Sequence, residues 1–191
     1  YYDCAFDVKA INDDGTFEGY GSVFGNVDSY KEIVAKGAFN DSLASLKAQG
    51  RMPALLWHHR SSEPIGIYTE MREDETGLFV RGKLALKTAR GAEAYELMKM
   101  KALDGLSIGF MTREDSYDKV TGIRTLNKVD LWECSVVTFP ANGAARVSGV
   151  KNIESIETLA DAESFLRESG GLSKSEAVGF ISRIKSMQGR S

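Results

Sequence analysis

The chain has 191 residues, 42% of them hydrophobic and 27% charged, with a formal net charge of -3. That length and balance describe a globular protein of one domain with room for an appendage. The slight acidic excess argues against a dedicated binder of nucleic acid or of anionic membranes, which carries a basic surplus. Two cysteines, Cys4 and Cys134, are too few for a disulfide framework and point to a reducing compartment. No apolar run approaches the roughly 20 residues of a membrane span, and no charged-then-apolar leader opens the chain. A first residue of Tyr1 rather than Met is expected of a processed or trimmed chain.

From Tyr1 to about Val150 the sequence reads as strands separated by glycine and acidic turns. FEGYGSVFG (Phe17 to Gly25) alternates large and small side chains, as a strand does. A helix is expected over about Gly37 to Gln49, with Phe39, Leu43 and Leu46 on one face and Gly50 as the stop. ALLWHHR (Ala54 to Arg60) is strand-like and holds the only histidines, His58 and His59. REDETG (Arg72 to Gly77) is a turn leading into the alternating run GLFVRGKLAL (Gly77 to Leu86). A second helix starts near the cap candidate Thr88 and carries Ala92, Tyr95 and Met98 at helical spacing. After Val150 come two amphipathic helices broken at Gly170-Gly171. The second opens with a capping box, Ser173 and Glu176, beside the staple candidate Leu172, and repeats Val178, Ile181 and Ile184. These features predict a domain over 1–150 and a helical C-terminal appendage over 151–191.

GLSIGF (Gly105 to Phe110) contains Gly-x-Ser-x-Gly, the pattern of a nucleophile elbow. An elbow needs a helix directly after the serine, but Ile108 to Arg113 reads as strand, with Ser107 and Gly109 on one face and Gly109 leaving space beside the hydroxyl. The esterase order also places the histidine after the serine, and here both precede it. The elbow is therefore rejected. A nucleophilic serine still needs a base, and only His58 and His59 can supply an imidazole. On a strand they would face opposite ways, so at most one serves Ser107. LWECSVVTFPAN (Leu131 to Asn142) carries Glu133 in an apolar run, where an unpaired carboxylate is costly. A histidine is one partner for it; a nearby Arg or Lys is another. Adjacent histidines and no further Cys or His at ligand spacing leave no metal site to propose. No cofactor is called for.

Five segments in order resemble the prohead (capsid maturation) protease family of tailed phages, HK97-type. They are FEGYGSVFGNVDSYKEIVAKGAF (Phe17 to Phe39), LLWHHRSSEPIG (Leu55 to Gly66), GLFVRGKL (Gly77 to Leu84), LDGLSIGF (Leu103 to Phe110) and LWECSVVTFPAN. The family is related in fold to the herpesvirus maturation protease. The resemblance implies an α+β fold: a closed antiparallel β-barrel flanked by helices. It also implies a catalytic set of His59, Ser107 and Glu133. The family's Leu-Trp-x-His-Asp falls on Leu56 to Arg60 and selects His59; Arg60 stands where the family has aspartate, which leaves His58 as an alternative base. By analogy with the herpesvirus enzyme, the oxyanion hole is expected at the amides of Asn142 and Gly143, with Arg146 nearby.

The same resemblance implies a serine endopeptidase that cleaves the scaffold or delta segment of the major capsid protein, and itself, inside the prohead in the host cytoplasm. Its partners would be that capsid protein and scaffold, with no nucleic acid and no membrane; self-association is left open. The appendage would tether the enzyme to capsid or scaffold. Two other functions fit the same residues. One is a non-catalytic capsid assembly factor on this fold. The other is a small-molecule esterase, against which the order of His and Ser argues.

Overall fold

The computed structural model describes residues 11–148, 158–168 and 172–188; Cys4 and the Gly170-Gly171 break lie outside them. The chain divides into two compact units, 1–150 and 151–191. In the first, the strands are β1 (Thr16–Val23), β2 (Glu32–Val34), β3 (Ala54–Trp57), β4 (Arg60–Glu73), β5 (Gly77–Leu84), β6 (Gly105–Asp118), β7 (Ile123–Val137) and β8 (Val147–Ser148). Helix α1 (Asn40–Ala48) follows β2, and α2 (Ala89–Lys99) joins β5 to β6. The second unit holds α3 (Leu159–Glu168) and α4 (Lys174–Gln188), which pack on one another.

The strands form one sheet in the order β2-β7-β3-β4-β5-β1-β8, with β6 on the other side of β7. The expected closed antiparallel barrel is not what forms. The sheet is a curled half-barrel, and two of its ladders, β2 with β7 and β3 with β7, are parallel. Closure would need a continuous ladder between β6 and the β1–β8 end. The returning segment is instead the turn-rich stretch Pro140 to Arg146, in which Pro140 has no N–H to give a ladder. β8 is two residues long, and strand pairing with β6 is reduced to a single bridge between Gly105 and Arg146.

Local signals place the helices. Gly50 takes φ +64° and stops α1. The amides of Gly37 and Phe39 ahead of that helix both donate to Glu73, at 2.7 Å each. Phe39 itself is the helix N-cap, so α1 begins three residues later than the expected Gly37. Thr88 caps α2 by accepting from the Gly91 amide at 3.1 Å. The buried stripe of α2 is Gly91, Ala94 and Met98 rather than one led by Ala92. At α4 the capping box forms: Ser173 donates its amide to Glu176 at 2.8 Å.

The half-barrel wraps a core that includes Phe17, Leu55, Ile65, Leu78, Leu106 and Leu131. Phe17 is fully buried, lies against Gly82, where a Cβ would meet its ring at 2.5 Å, and meets Tyr68 edge-on with centroids 6.3 Å apart. Phe17→Ala is expected to destabilise the fold by about 3–5 kcal/mol. Urea unfolding should show a lower midpoint with an unchanged slope.

Candidate active site

Ser107 is the third residue of β6 and stands directly across the ladder from Ser135 of β7. The strand continues to Asp118 without a turn, so no elbow forms. Ser107 is buried, and a base must therefore be brought to it by a neighbouring element.

That element is the β3–β4 connection, and here the structure departs from the strand reading of Ala54 to Arg60. β3 ends at Trp57, which pairs with Arg60, the first residue of β4; His58 and His59 are the two-residue turn between them. Their φ angles are 47° and 60°. Positive φ at both centres is the mark of a type I′ hairpin turn, where Asn-Gly is the usual choice. Non-glycine residues held there store on the order of 1–3 kcal/mol each and persist only when their surroundings fix them. β7 does the fixing. The His58 amide donates to the Val136 carbonyl at 3.2 Å, and the His59 amide donates to Ser135 Oγ at 2.9 Å.

The turn separates the two imidazoles. His59 Nδ1 lies 2.6 Å from Glu133 Oε1, whereas the His58 ring packs edge-on against Trp57 at 4.8 Å. The bond to Glu133 raises the proton affinity of His59 above its ordinary value, against the opposing effect of burial. His58 is shifted the other way, first by burial and then by the charges of Arg60, His59 and Arg90. Of the two, His59 has the carboxylate partner that an imidazole base needs.

Glu133 is buried on β7, and its second oxygen accepts from Ser135 Oγ at 2.5 Å. Across the ladder stands Gly109. A Cβ on Gly109 would come within 2.9 Å of Glu133 Cγ and Cδ, and closer still to Oε1. The open space beside Gly109 is thus occupied by the Glu133 carboxylate. Cys134, next along β7, is fully buried, and burial pushes its thiol up to about 12, which leaves it inert as a nucleophile.

His59 and Ser107 line one cavity of about 280 Å³, together with Gly21, Ser22, Phe110 and Asn142. Asn142 reaches this cavity, but its side chain is committed to its own loop: Nδ2 donates to the Val23 carbonyl at 3.0 Å, and Oδ1 accepts from Asn26 at 2.8 Å and from the Ala144 amide at 3.1 Å. Gly143 is exposed and stands outside the cavity lining. Among the described residues the amides of Asn142 and Gly143 have no acceptor. Arg146 donates to Asp104 at 2.5 Å and, through Nε, to the Gly143 carbonyl at 3.3 Å. Past Leu106, whose amide donates to Ala145, the edge of β6 away from β7 pairs with no strand among the described residues. No group of three or more His, Cys, Asp or Glu is gathered as metal ligands among those residues.

A family model for the caudovirus prohead serine protease matches residues 5–161. The chain belongs to this family. Its members are proteases, and the prohead protease of Enterobacteria phage HK97 is 41% identical to it over 184 residues, covering 94% of this chain and 80% of that protein. In fold the chain is similar to the bacteriophage T4 capsid assembly protease, with TM-score 0.54 and 12% identity over 64% of this chain and 80% of that one. A looser likeness is to the KSHV protease in complex with a hexapeptide phosphonate inhibitor, at TM-score 0.48 and 13% identity, covering 90% of this chain and 76% of that one. Sequence reasoning missed Ser135, and it gave the space beside Gly109 to the Ser107 hydroxyl, where the structure fills it with the Glu133 carboxylate. Ser135 follows Glu133 by two on a strand, and that spacing alone puts both on one face.

Proposed function

We propose that this phage capsid maturation protease is a serine endopeptidase in which Ser107 is the nucleophile, His59 the base and Glu133 the carboxylate that orients the imidazole. One observation carries the reading: His59 is bound through Nδ1 to Glu133 while it shares a cavity with Ser107. Nδ1 being engaged, Nε2 is the nitrogen left for the hydroxyl. An extended substrate segment adds to the open edge of β6 and is thereby carried past Ser107. Ser107 Oγ attacks the carbonyl carbon as its proton passes to Nε2. The oxyanion is stabilised by backbone amides of the loop at Asn142 and Gly143. Collapse breaks the C–N bond, and His59 returns the proton to the departing amine. Water then releases the acyl group by the same steps.

Family membership supports the substrate: the scaffold or delta segment of the major capsid protein, and the protease chain itself, cut within the prohead in the host cytoplasm. The helical unit 151–191 exposes Val178, Phe180 and Ile184, side chains suited to docking on a partner helix, and we assign it the tethering role. The test is intact-mass spectrometry after fluorophosphonate treatment, followed by incubation with assembled capsid protein. The parent should gain one adduct and shorten the capsid protein; Ser107→Ala should do neither. If Ser107→Ala still matured the capsid, the chain would be an assembly factor and not its protease.

A further inference from the structure

Ser135 is fully buried and lies at the centre of the site, yet neither acid–base chemistry nor attack requires it. Its hydroxyl makes two bonds of opposite sense. It donates to Glu133 Oε2 at 2.5 Å and accepts from the His59 amide at 2.9 Å. Glu133 Oε1 in turn holds His59 Nδ1 at 2.6 Å. These three contacts close a ring: turn backbone to Ser135, Ser135 to carboxylate, carboxylate to imidazole. The ring ties the left-handed His59 backbone to the same carboxylate that orients its side chain. Across the ladder, Ser135 stands directly opposite Ser107.

We propose that Ser135 is a positioning residue, whose hydroxyl locks the His59 turn and the Glu133 carboxylate into one unit and so sets where the base meets Ser107. This rests on the assignment of His59 and Ser107 made above. Glu133 could reach His59 without Ser135, but both would then be held by separate, softer contacts. A carboxylate with a free oxygen can rotate about its last torsion, which is broad. A histidine whose amide has lost its acceptor has less reason to stay at positive φ. A misplacement of about 1 Å in such a site lowers rates on the order of 100-fold.

The experiment is the pH dependence of fluorophosphonate labelling of the whole chain, for the parent, Ser135→Ala, Ser135→Cys and Ser135→Thr. Cysteine keeps the approximate volume with a weak donor, so it separates hydrogen bonding from packing and stands in should the alanine variant fail to fold. Ser135→Ala and Ser135→Cys are expected to label on the order of 10- to 100-fold more slowly. Their midpoints should move down toward that of an ordinary imidazole, because the His59–Glu133 bond is then made less of the time. Ser135→Thr should return toward the parent in both. The other ionisable groups around this turn are His58, Arg60, Glu63 and Arg90, Cys134 and Tyr68, and Asp28, Tyr30 and Glu32 of the shared cavity, and all are left in place. An unmoved midpoint with a rate loss equal at every pH would reduce Ser135 to packing and overturn the proposal; so would parent-like labelling of Ser135→Ala. His59→Asn is the control. If it labels like the parent, the catalytic assignment has failed; if it is silent while Ser135→Ala is normal, only the present inference has.

Discussion

His59→Asn is expected to lower the rate of acylation and of capsid cleavage by about 10³- to 10⁴-fold, whereas His58→Asn changes them by no more than about twofold. Asparagine is the right replacement, because it tolerates the left-handed φ of 47° and 60° that the two positions adopt. The backbone of the turn therefore survives and only the imidazole is lost. At position 59 that removes the ring bound to Glu133 at 2.6 Å; at position 58 it removes an edge contact with Trp57. The pH profile of the parent gives the same assignment a second handle. Only neutral imidazole accepts the serine proton, so the rate should rise with pH through a midpoint above the ordinary 6.5, the bond to Glu133 having raised it. Stability runs the other way. A base whose folded-state proton affinity is raised contributes stability that is complete below its unfolded value and is lost as pH climbs through the folded one. Across that window the enzyme gains rate while this contribution to its stability declines. A rate profile centred below 6.5 would point to His58 instead.

Gly109→Ala should be almost as damaging, and without touching any group that reacts. Its methyl would occupy the place of the Glu133 carboxylate, with Cγ and Cδ at 2.9 Å from the new atom. Real Cβ atoms do not approach that closely, and since β6 is bound to β7 at this rung, the long side chain gives way before the ladder does. Once Oε1 leaves Nδ1, the imidazole loses both its orientation and its raised proton affinity. Acylation should fall on the order of 100-fold or more, with the midpoint of its pH profile displaced downward. Far-UV circular dichroism should match the parent. A variant that keeps parent activity would mean that Glu133 finds another way to His59.

How much of this was legible beforehand depends on the range over which each signal acts. Thr88, Gly50 and the Ser173–Glu176 box are local devices, decided within a few residues, and each appears where the sequence placed it. A carboxylate in the apolar run around Glu133 announced a partner, and a half-exposed histidine is what it has. The His58-His59 turn was not legible. Nothing in Leu-Trp-His-His-Arg offers the Gly or Asn that marks a type I′ turn, and the strain is borne by amide bonds to Val136 and Ser135, far along the chain. The parallel pairing of β3 with β7 and the failure of the barrel to close are likewise settled by long-range partners. Pro140 was visible, but its effect depended on which strand would need a donor there. Gly109 shows the same limit from another side. A small residue signals that space is wanted, and only the opposite strand says for what.

The open edge of β6 has a consequence for handling the molecule in quantity. A row of unpaired amides and carbonyls able to take a substrate strand would also take a strand from another copy. The mostly apolar stretch Leu106 to Met111 sits beside that edge, and past Thr112 come Arg113, Glu114 and Asp115, paired with Asp130, Lys128 and Arg124 of β7. Fixed charges along an edge discourage a second sheet from zipping on, because they would have to be stripped of water and set against their own kind. Neutralising those three charges is therefore expected to promote self-association at high concentration, which light scattering against the parent would read.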